Sequence, residues 1–343
     1  MRILGIETSC DETGAAVVED GQKLLSNVVA SSLDLHIPFG GVVPEIAARS
    51  HIEVILPVID EALKNAKTDW EQIDAIAVTK GPGLLGSLLV GVLTARTLAI
   101  AKKKPLYGIN HVEAHVYAAF LEAKKPQFPL LALIVSGGHT QLVLFRDHFK
   151  YEVLGRTMDD AVGEAFDKVA KILGLPYPGG PSIAEAAKNG RPDTISLPMA
   201  KMENRYDFSF SGLKTAVLRV AQAQSGHAYD FPSMKLPEAL SDAQKADIAA
   251  SFQKTAVETL VRHLKAAEVE LNPKSVVIAG GVAANQALRE AASGRLSTFV
   301  IYPGFNLCTD NAAMIGALGF YHASNKRPQA DPYSLEPDPG LKM

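Results

Sequence analysis

The chain has 343 residues, 47% hydrophobic and 21% charged, with a formal net charge of −3 at pH 7. That length exceeds what one hydrophobic core usually fills, so two domains are expected, and the composition is that of a soluble globular protein. The slightly negative balance excludes a global basic field for nucleic acid, and having only Cys10 and Cys308 excludes a disulfide framework and points to a reducing compartment.

Residues 2–7 read as a central, buried strand, followed by the polar turn Thr8 to Gly14 and a second strand at Ala15 to Val18. A third strand spans 24–30. The run is too short and too soon interrupted for a signal peptide, so a cytoplasmic protein is expected. Two adjacent carboxylates, Asp11 and Glu12, sit in the turn; acids there serve the turn itself or face a phosphate-bearing ligand. Residues 44–66 have helical periodicity, with Pro44 suited to the first turn and Pro57 expected to kink or divide the helix. Strand 73–78 leads into Gly81-Pro82-Gly83 and an apolar helix over 86–102. The stretch from Leu84 to Ala101 nearly has membrane length, but Ser87, Thr94, Arg96 and Thr97 favour a buried core helix and no membrane.

Strand 106–109 enters the helical stretch 111–121. Successive helical residues turn by about 100°, so His111 and His115 lie roughly 40° apart on one face. Imidazoles at that spacing either hold one metal ion or form an ordinary polar face. Glu113 lies on the opposite side, and Val112 stands where a metalloprotease carries its general base.

After Lys124-Lys125-Pro126 the pattern restarts: strand 130–135, glycine turn 136–140, strand 141–145, strand 151–154 and helix 160–173. Leu4 against Ala132 gives a repeat of about 128 residues, which indicates a duplicated α/β unit. The expected domains are 1–125 and 126–343. Residues 174–181 are too rich in Gly and Pro for regular structure. Residues 191–240 read as an insertion, partly helical over 213–223. A long helix follows at 245–267, then strand 275–279, glycine turn 280–285 and a helix, strand 298–301, and a last helix opened by 308–311. The tail from Asn325 reads as loose.

Glycine pairs at 137–138 and 280–281 each end a strand, where backbone amides can bind phosphate. Neither fits a Walker or a dinucleotide-binding pattern. In a duplicated α/β frame they suggest a nucleotide between the halves. Asp310, at a helix start after a strand of the second half, is the candidate third metal ligand; its alternative is an N-cap. Two imidazoles and one carboxylate with open positions suit iron(II), or zinc with a free site.

Ten blocks carry a resemblance to a known family: residues 6–13 (IETSCDET), 40–45 (GGVVPE), 81–84 (GPGL), 111–115 (HVEAH), 135–140 (VSGGHT), 163–168 (GEAFDK), 177–181 (YPGGP), 207–215 (DFSFSGLKT), 280–285 (GGVAAN) and 308–311 (CTDN). In that order, and over nearly the whole chain, they resemble the TsaD family of bacterial tRNA adenosine threonylcarbamoyltransferases, formerly grouped as glycoproteases. The resemblance implies a duplicated actin-like, sugar-kinase-like (ASKHA, ribonuclease H-like) two-domain α/β fold. It implies an acyltransferase that moves the threonylcarbamoyl group from threonylcarbamoyl-AMP to the exocyclic amine of the adenosine 3′ of the anticodon, in tRNAs reading codons that begin with A.

The family's metal ligands fall on His111, His115 and Asp310. Its substrate-binding positions fall on Ile134, Val135, Ser136, Gly137, Gly138, Asp167, Gly180 and Asn285. Acidic residues that it needs for activity fall on Asp11 and Glu12. The implied partners are tRNA, TsaB as a heterodimer partner on the N-terminal domain, and the ATPase TsaE. Val112, Ala114 and Ala283 depart from the common pattern without touching a ligand. The alternatives are a small-molecule kinase or an ATPase of the same fold, or a metalloprotease, which the position of Glu113 disfavours.

Overall fold

A computed structural model describes residues 1–343. The chain forms two compact units, one made of Met1–Pro126 with Pro303–Met343 and the other of Gln127–Tyr302.

The first unit begins with three strands, β1 (Arg2–Glu7), β2 (Glu12–Glu19) and β3 (Lys23–Ser31). After the single turn α1 (Leu33–His36) come α2 (Pro44–Asn65), β4 (Ala75–Gly81), α3 (Leu85–Lys102), β5 (Leu106–Asn110) and α4 (His111–Tyr117). The sheet order is β3-β2-β1-β4-β5. Strands joined by short turns pair antiparallel, β1 with β2 and β2 with β3. The helices α2 and α3 supply the crossovers that parallel pairing of β1, β4 and β5 requires. Leu4, Ile6, Val17, Ile76 and Val78 on one face of the sheet pack with Ile55, Ile59 and Leu63 of α2 and Val92, Ala95 and Ala99 of α3.

The second unit repeats this plan with β6 (Leu130–Val135), β7 (Thr140–Asp147), β8 (Lys150–Arg156), α5 (Val162–Leu173), α6 (Gly179–Ala187), α7 (Ser211–Gln224), α8 (Leu236–Ala239), α9 (Asp242–Leu271), β9 (Ser275–Ala279), α10 (Gln286–Arg295) and β10 (Val300–Ile301). Its order, β10-β9-β6-β7-β8, places β6 to β10 as the counterparts of β1 to β5. The pairing directions match too: β6–β7 and β7–β8 antiparallel, β6–β9 and β9–β10 parallel. The repeat read from the sequence is a duplicated five-stranded sheet.

The chain then returns to the first unit with α11 (Phe305–Cys308) and α12 (Ala312–Ser324). This corrects the expected domain 126–343. Helix α12 is buried on nearly every side and packs on β1, β2 and β4, the sheet face that α2 and α3 leave open. The approach is close because two glycines face each other: a Cβ on Gly5 would collide with the Ala312 carbonyl and the Gly316 backbone.

Four other expectations change. Of the two outcomes expected at Pro57, a kink or a division, division does not occur: helix α2 is continuous there, with Ile55, Val58 and Ile59 buried on either side. Helix α3 is not buried all round: Leu88, Val92, Ala95 and Ala99 face the core, while Leu85, Leu89, Leu93 and Ile100 are exposed. It is long and apolar enough to cross a membrane by length and composition, yet one side of it completes a globular core. Residues 179–181, expected to be irregular, open α6, whose first amide is taken up by the Asp167 carboxylate.

The tail is not loose either. The Arg96 guanidinium donates to the carbonyls of Pro332, Tyr333 and Leu335. Ala330 pairs with Leu106, and the Asp338 amide donates to the Lys80 carbonyl at 2.7 Å. The insertion contains α7, close to the expected 213–223. Its preceding segment is docked by Asp159, whose carboxylate accepts from the Phe210 and Ser211 amides and from Ser209 Oγ.

Candidate metal centre and acidic turn

The metal ligands proposed from sequence come together within the first unit. Asn110 caps α4, its Oδ1 accepting from the amides of Val112 and Glu113 at 2.9 and 3.1 Å, so His111 is the first helical residue. Four residues on, His115 projects from the same face, and the two rings meet edge to face with centroids 4.7 Å apart. Asp310 Oδ1 lies 3.4 Å from His111 Nε2 and 3.6 Å from His115 Nε2. One ligand atom from each of the three residues lies within 4.8 Å of the other two. The capping alternative for Asp310 falls away, because Asn311 caps α12 through Oδ1 to the Met314 amide and donates Nδ2 to the Leu307 and Thr309 carbonyls. Asp310 was expected to reach the histidines from the other domain; the return of α12 puts all three in one unit.

Behind His111 stands Glu7, which the sequence reading missed. Glu7 is fully buried at the end of β1, and its Oε2 accepts from His111 Nδ1 at 3.0 Å and from Thr79 Oγ1 at 2.6 Å. Its Oε1 accepts from the Ser9 amide. With Nδ1 held by a carboxylate, Nε2 is the nitrogen that faces Asp310 and the one that a metal would take on displacing its proton. Burial works to raise the Glu7 pKa, but the His111 imidazole overrides it and holds the carboxyl below its ordinary value. Burial likewise lowers His111, and the carboxylates of Asp310 and Glu7 together hold it well above the usual imidazole range. The available signal was a carboxylate closing a central strand whose preceding residues, Ile3 to Ile6, are all apolar.

The donor set fits a divalent ion: two imidazole nitrogens and a carboxylate converge, with a buried carboxylate orienting one ring. Glu113 points elsewhere. It is buried away from the three ligands, and burial pushes its carboxyl up to about 7 despite the positive charge of Arg327.

The acidic turn lies beside this cluster. Burial, above all, and then the charges of Asp11 and Asp310 push the Cys10 thiol up, which keeps it protonated and unsuited to act as a nucleophile. Burial also pushes the Glu12 carboxyl up to about 7, against the opposing hydrogen bond from Ser31 Oγ. Asp11 and Glu12 are both half-buried.

In the second unit the candidate substrate residues gather at the ends of β6 and β9. Ile134 and Val135 are completely buried strand residues, so their side chains serve the core. The turn that follows is held by the Ser136 amide to the His139 carbonyl at 2.8 Å, while Gly137 and Gly138 are exposed. Helix α5 starts against this turn, the Gly163 amide donating to the Ser136 carbonyl at 3.3 Å. Further along α5, Asp167 Oδ1 accepts from the Gly179 amide at 2.7 Å, beside Gly180. At the end of β9, Gly280 has φ 95, a conformation suited to glycine, and packs on the Val135 backbone. Asn285 follows, capping α10 and donating Nδ2 to Gln253 Oε1 at 2.8 Å.

Comparison with known proteins gives the same picture at three levels. The family model for TsaD, tRNA N6-adenosine threonylcarbamoyltransferase, matches residues 23–317. A tRNA N6-adenosine threonylcarbamoyltransferase of Symbiobacterium thermophilum is 54% identical over 323 residues, covering 93% of this chain and 91% of that protein. The protein of the same name from Thermomicrobium roseum is 52% identical over 336 residues, covering 94% and 92%. Among solved structures, full-length HypF matches with a TM-score of 0.58 at 14% identity, over 96% of this chain and 47% of HypF. Component A of the Acidaminococcus fermentans (R)-2-hydroxyglutaryl-CoA dehydratase matches with a TM-score of 0.51 at 16% identity, over 94% and 99%. At those identities the structures speak for the fold alone, the duplicated actin-like and sugar-kinase-like α/β architecture. With more than half of the sequence matched at the level of residues, the chain belongs to the TsaD family, the tRNA N6-adenosine threonylcarbamoyltransferases.

Proposed function

We propose that this chain transfers the threonylcarbamoyl group from threonylcarbamoyl-AMP to N6 of the adenosine 3′ of the anticodon, in tRNAs that read codons beginning with A. The observation that carries the reading is the convergence of His111, His115 and Asp310, with Glu7 behind them and the Asp11–Glu12 turn alongside. A kinase, an ATPase or an actin-like module of the same fold has no use for that donor set.

The ion is iron(II), with zinc as the alternative, since two histidines and one carboxylate leave coordination positions open. Bound there, it would act as a Lewis acid and a template for the threonyl and carbonyl oxygens. The remaining work falls to the protein. Exposed amides at Gly137 and Gly138 are suited to phosphate or carbonyl oxygen, and Asp167, Gly180 and Asn285 to the adenosine of the donor. The N6 amine attacks the carbamoyl carbon, the new C–N bond forms, the C–O bond to phosphate breaks and AMP leaves. The amine must lose a proton in that step. Asp11 or Glu12 takes it, and a carboxyl held near 7, as Glu12 is, suits a base working at neutral pH.

The donor is already activated, so no covalent enzyme intermediate is needed. Helix α2 exposes Ile52 and Leu56, and α3 exposes Leu85, Leu89 and Leu93, an apolar surface in keeping with a TsaB partner on this unit; TsaE would complete the assembly. Such an enzyme works in the cytoplasm, where its tRNA is.

The test is mass spectrometry of nucleosides from unmodified tRNA incubated with the chain, its helper proteins and synthetic threonylcarbamoyl-AMP. Threonylcarbamoyladenosine is expected, and His111→Ala is expected to abolish it together with bound metal. Absence of product with metal and donor both intact would overturn the reading.

A further inference from the structure

Helices α2 and α3 each send one buried polar side chain to the same acceptor. His51 Nε2 and Ser87 Oγ both lie 3.0 Å from the carbonyl oxygen of Cys10, the residue before Asp11. A carbonyl only accepts, so Nε2 carries the proton and Nδ1 is free to accept. It does so from Thr13 Oγ1, at 2.7 Å, on the other side of the acidic turn. Both ring nitrogens are thereby spent on the two residues that bracket Asp11 and Glu12. Burial is the main reason that the His51 pKa is lowered, in keeping with the neutral ring this pattern needs.

Ser87 is itself held, since its own carbonyl accepts from Thr8 Oγ1 at 2.9 Å. The next carbonyl of the turn, that of Asp11, accepts from the Ser32 amide at 3.1 Å and from Ser32 Oγ at 2.8 Å. A second buried imidazole backs that hydroxyl. His36 Nδ1 accepts from the Val43 amide, which leaves Nε2–H to donate to Ser32 Oγ at 3.1 Å. Two successive carbonyls of the turn are therefore fixed by four donors, while the side chains of Asp11 and Glu12 stay half-exposed.

We infer that His51, acting with Ser87, is a positioning residue for the transfer: it fixes the Cys10 carbonyl and so aims the acidic turn at the reacting amine. The inference rests on the reading that this turn serves the reaction. A proton acceptor displaced by about 1 Å can cost on the order of a hundredfold in rate without loss of binding. A histidine that only filled the core would be replaceable by any side chain of similar size. His51 is not of that kind, because its ring spans the turn from Cys10 to Thr13.

The experiment compares His51→Leu, His51→Gln and Ser87→Ala with the double variant Asp11→Asn/Glu12→Gln, in the full chain with its helpers, tRNA and threonylcarbamoyl-AMP. For His51→Leu a kcat at least about tenfold lower is expected, with KM for the donor and bound metal unchanged. The amides of Leu84 and Ser32, which donate to Ser9 and Asp11 of the turn, are expected to exchange faster. His51→Gln, which restores a donor to Cys10, is expected to recover most of the rate, and Ser87→Ala to lose several-fold. A folded His51→Leu with kcat within about twofold of the parent, or His51→Gln no better than His51→Leu, would overturn the inference. So would loss of rate in step with loss of metal. If His51→Leu does not fold, Ser87→Ala decides alone, and an unchanged kcat there overturns it. Full activity of the double variant Asp11→Asn/Glu12→Gln would instead overturn the reading of the acidic turn, so the two failures are distinguishable.

Discussion

Glu7 shows how much one side chain can set. A carboxylate buried at the end of a central strand is costly unless it is paired, and this one is paired with His111, Thr79 and the Ser9 amide. Its place suits it to hold the His111 ring with Nε2 toward Asp310. Glu7→Gln keeps the shape but removes the charge, so affinity for the metal is expected to fall by about 10–100-fold. Competition with a chelator of known affinity measures this, and unchanged affinity would mean that Glu7 is only structural. Asn311 works in the same way for Asp310. By capping α12 it spares the neighbouring carboxylate for the histidines.

Among the elements, α2 and α3 have two faces with different work. Their inner faces complete the core of the first unit with Ile55, Ile59, Val92 and Ala99. Their outer faces expose Ile52 and Leu56 on α2 and Leu85, Leu89 and Leu93 on α3, each four residues from the next and so in line along its helix. A charge placed there leaves the core alone. Leu89→Glu is expected to weaken binding of the proposed TsaB partner by at least about tenfold while the thermal midpoint stays put. Isothermal titration reads the first and calorimetry the second. Undiminished binding would place the partner elsewhere on the chain.

At the scale of the whole molecule, the tail and α12 make the first unit discontinuous in sequence. The tail is anchored by Arg96 on three carbonyls, by Ala330 on Leu106 and by Asp338 on Lys80, and Ala330 and Leu335 pack against the core. Deleting residues 325–343 is expected to lower the midpoint of thermal unfolding by about 5 °C or more, since each kcal/mol lost moves it by a few degrees. Arg96→Ala is expected to reproduce part of that shift. Calorimetry with an unchanged midpoint would show the tail to be an ornament on a core already complete.

The strands β1 and β6 were legible from apolar runs, the repeat from its spacing, and the boundary near Pro126 from Lys-Lys-Pro, because each of these is a local property of the chain. The histidine pair was legible because helical geometry puts residues four apart on one face. The candidate third ligand, Asp310, was read from its place at a helix start after a strand, and the family blocks carried the implied chemistry. Local pattern was silent about where α12 would dock, so Asp310 was assigned to the wrong domain; the choice depends on an open sheet face and on Gly5 meeting Gly316, contacts made across more than 300 residues. The tail read as loose for a similar reason. Its polar, proline-rich sequence says nothing of an arginine on α3 waiting for three carbonyls. The roles of Glu7, His51 and Ser87 were also beyond the sequence, because a buried polar group is defined by its partners, and only folding brings those partners within hydrogen-bonding distance.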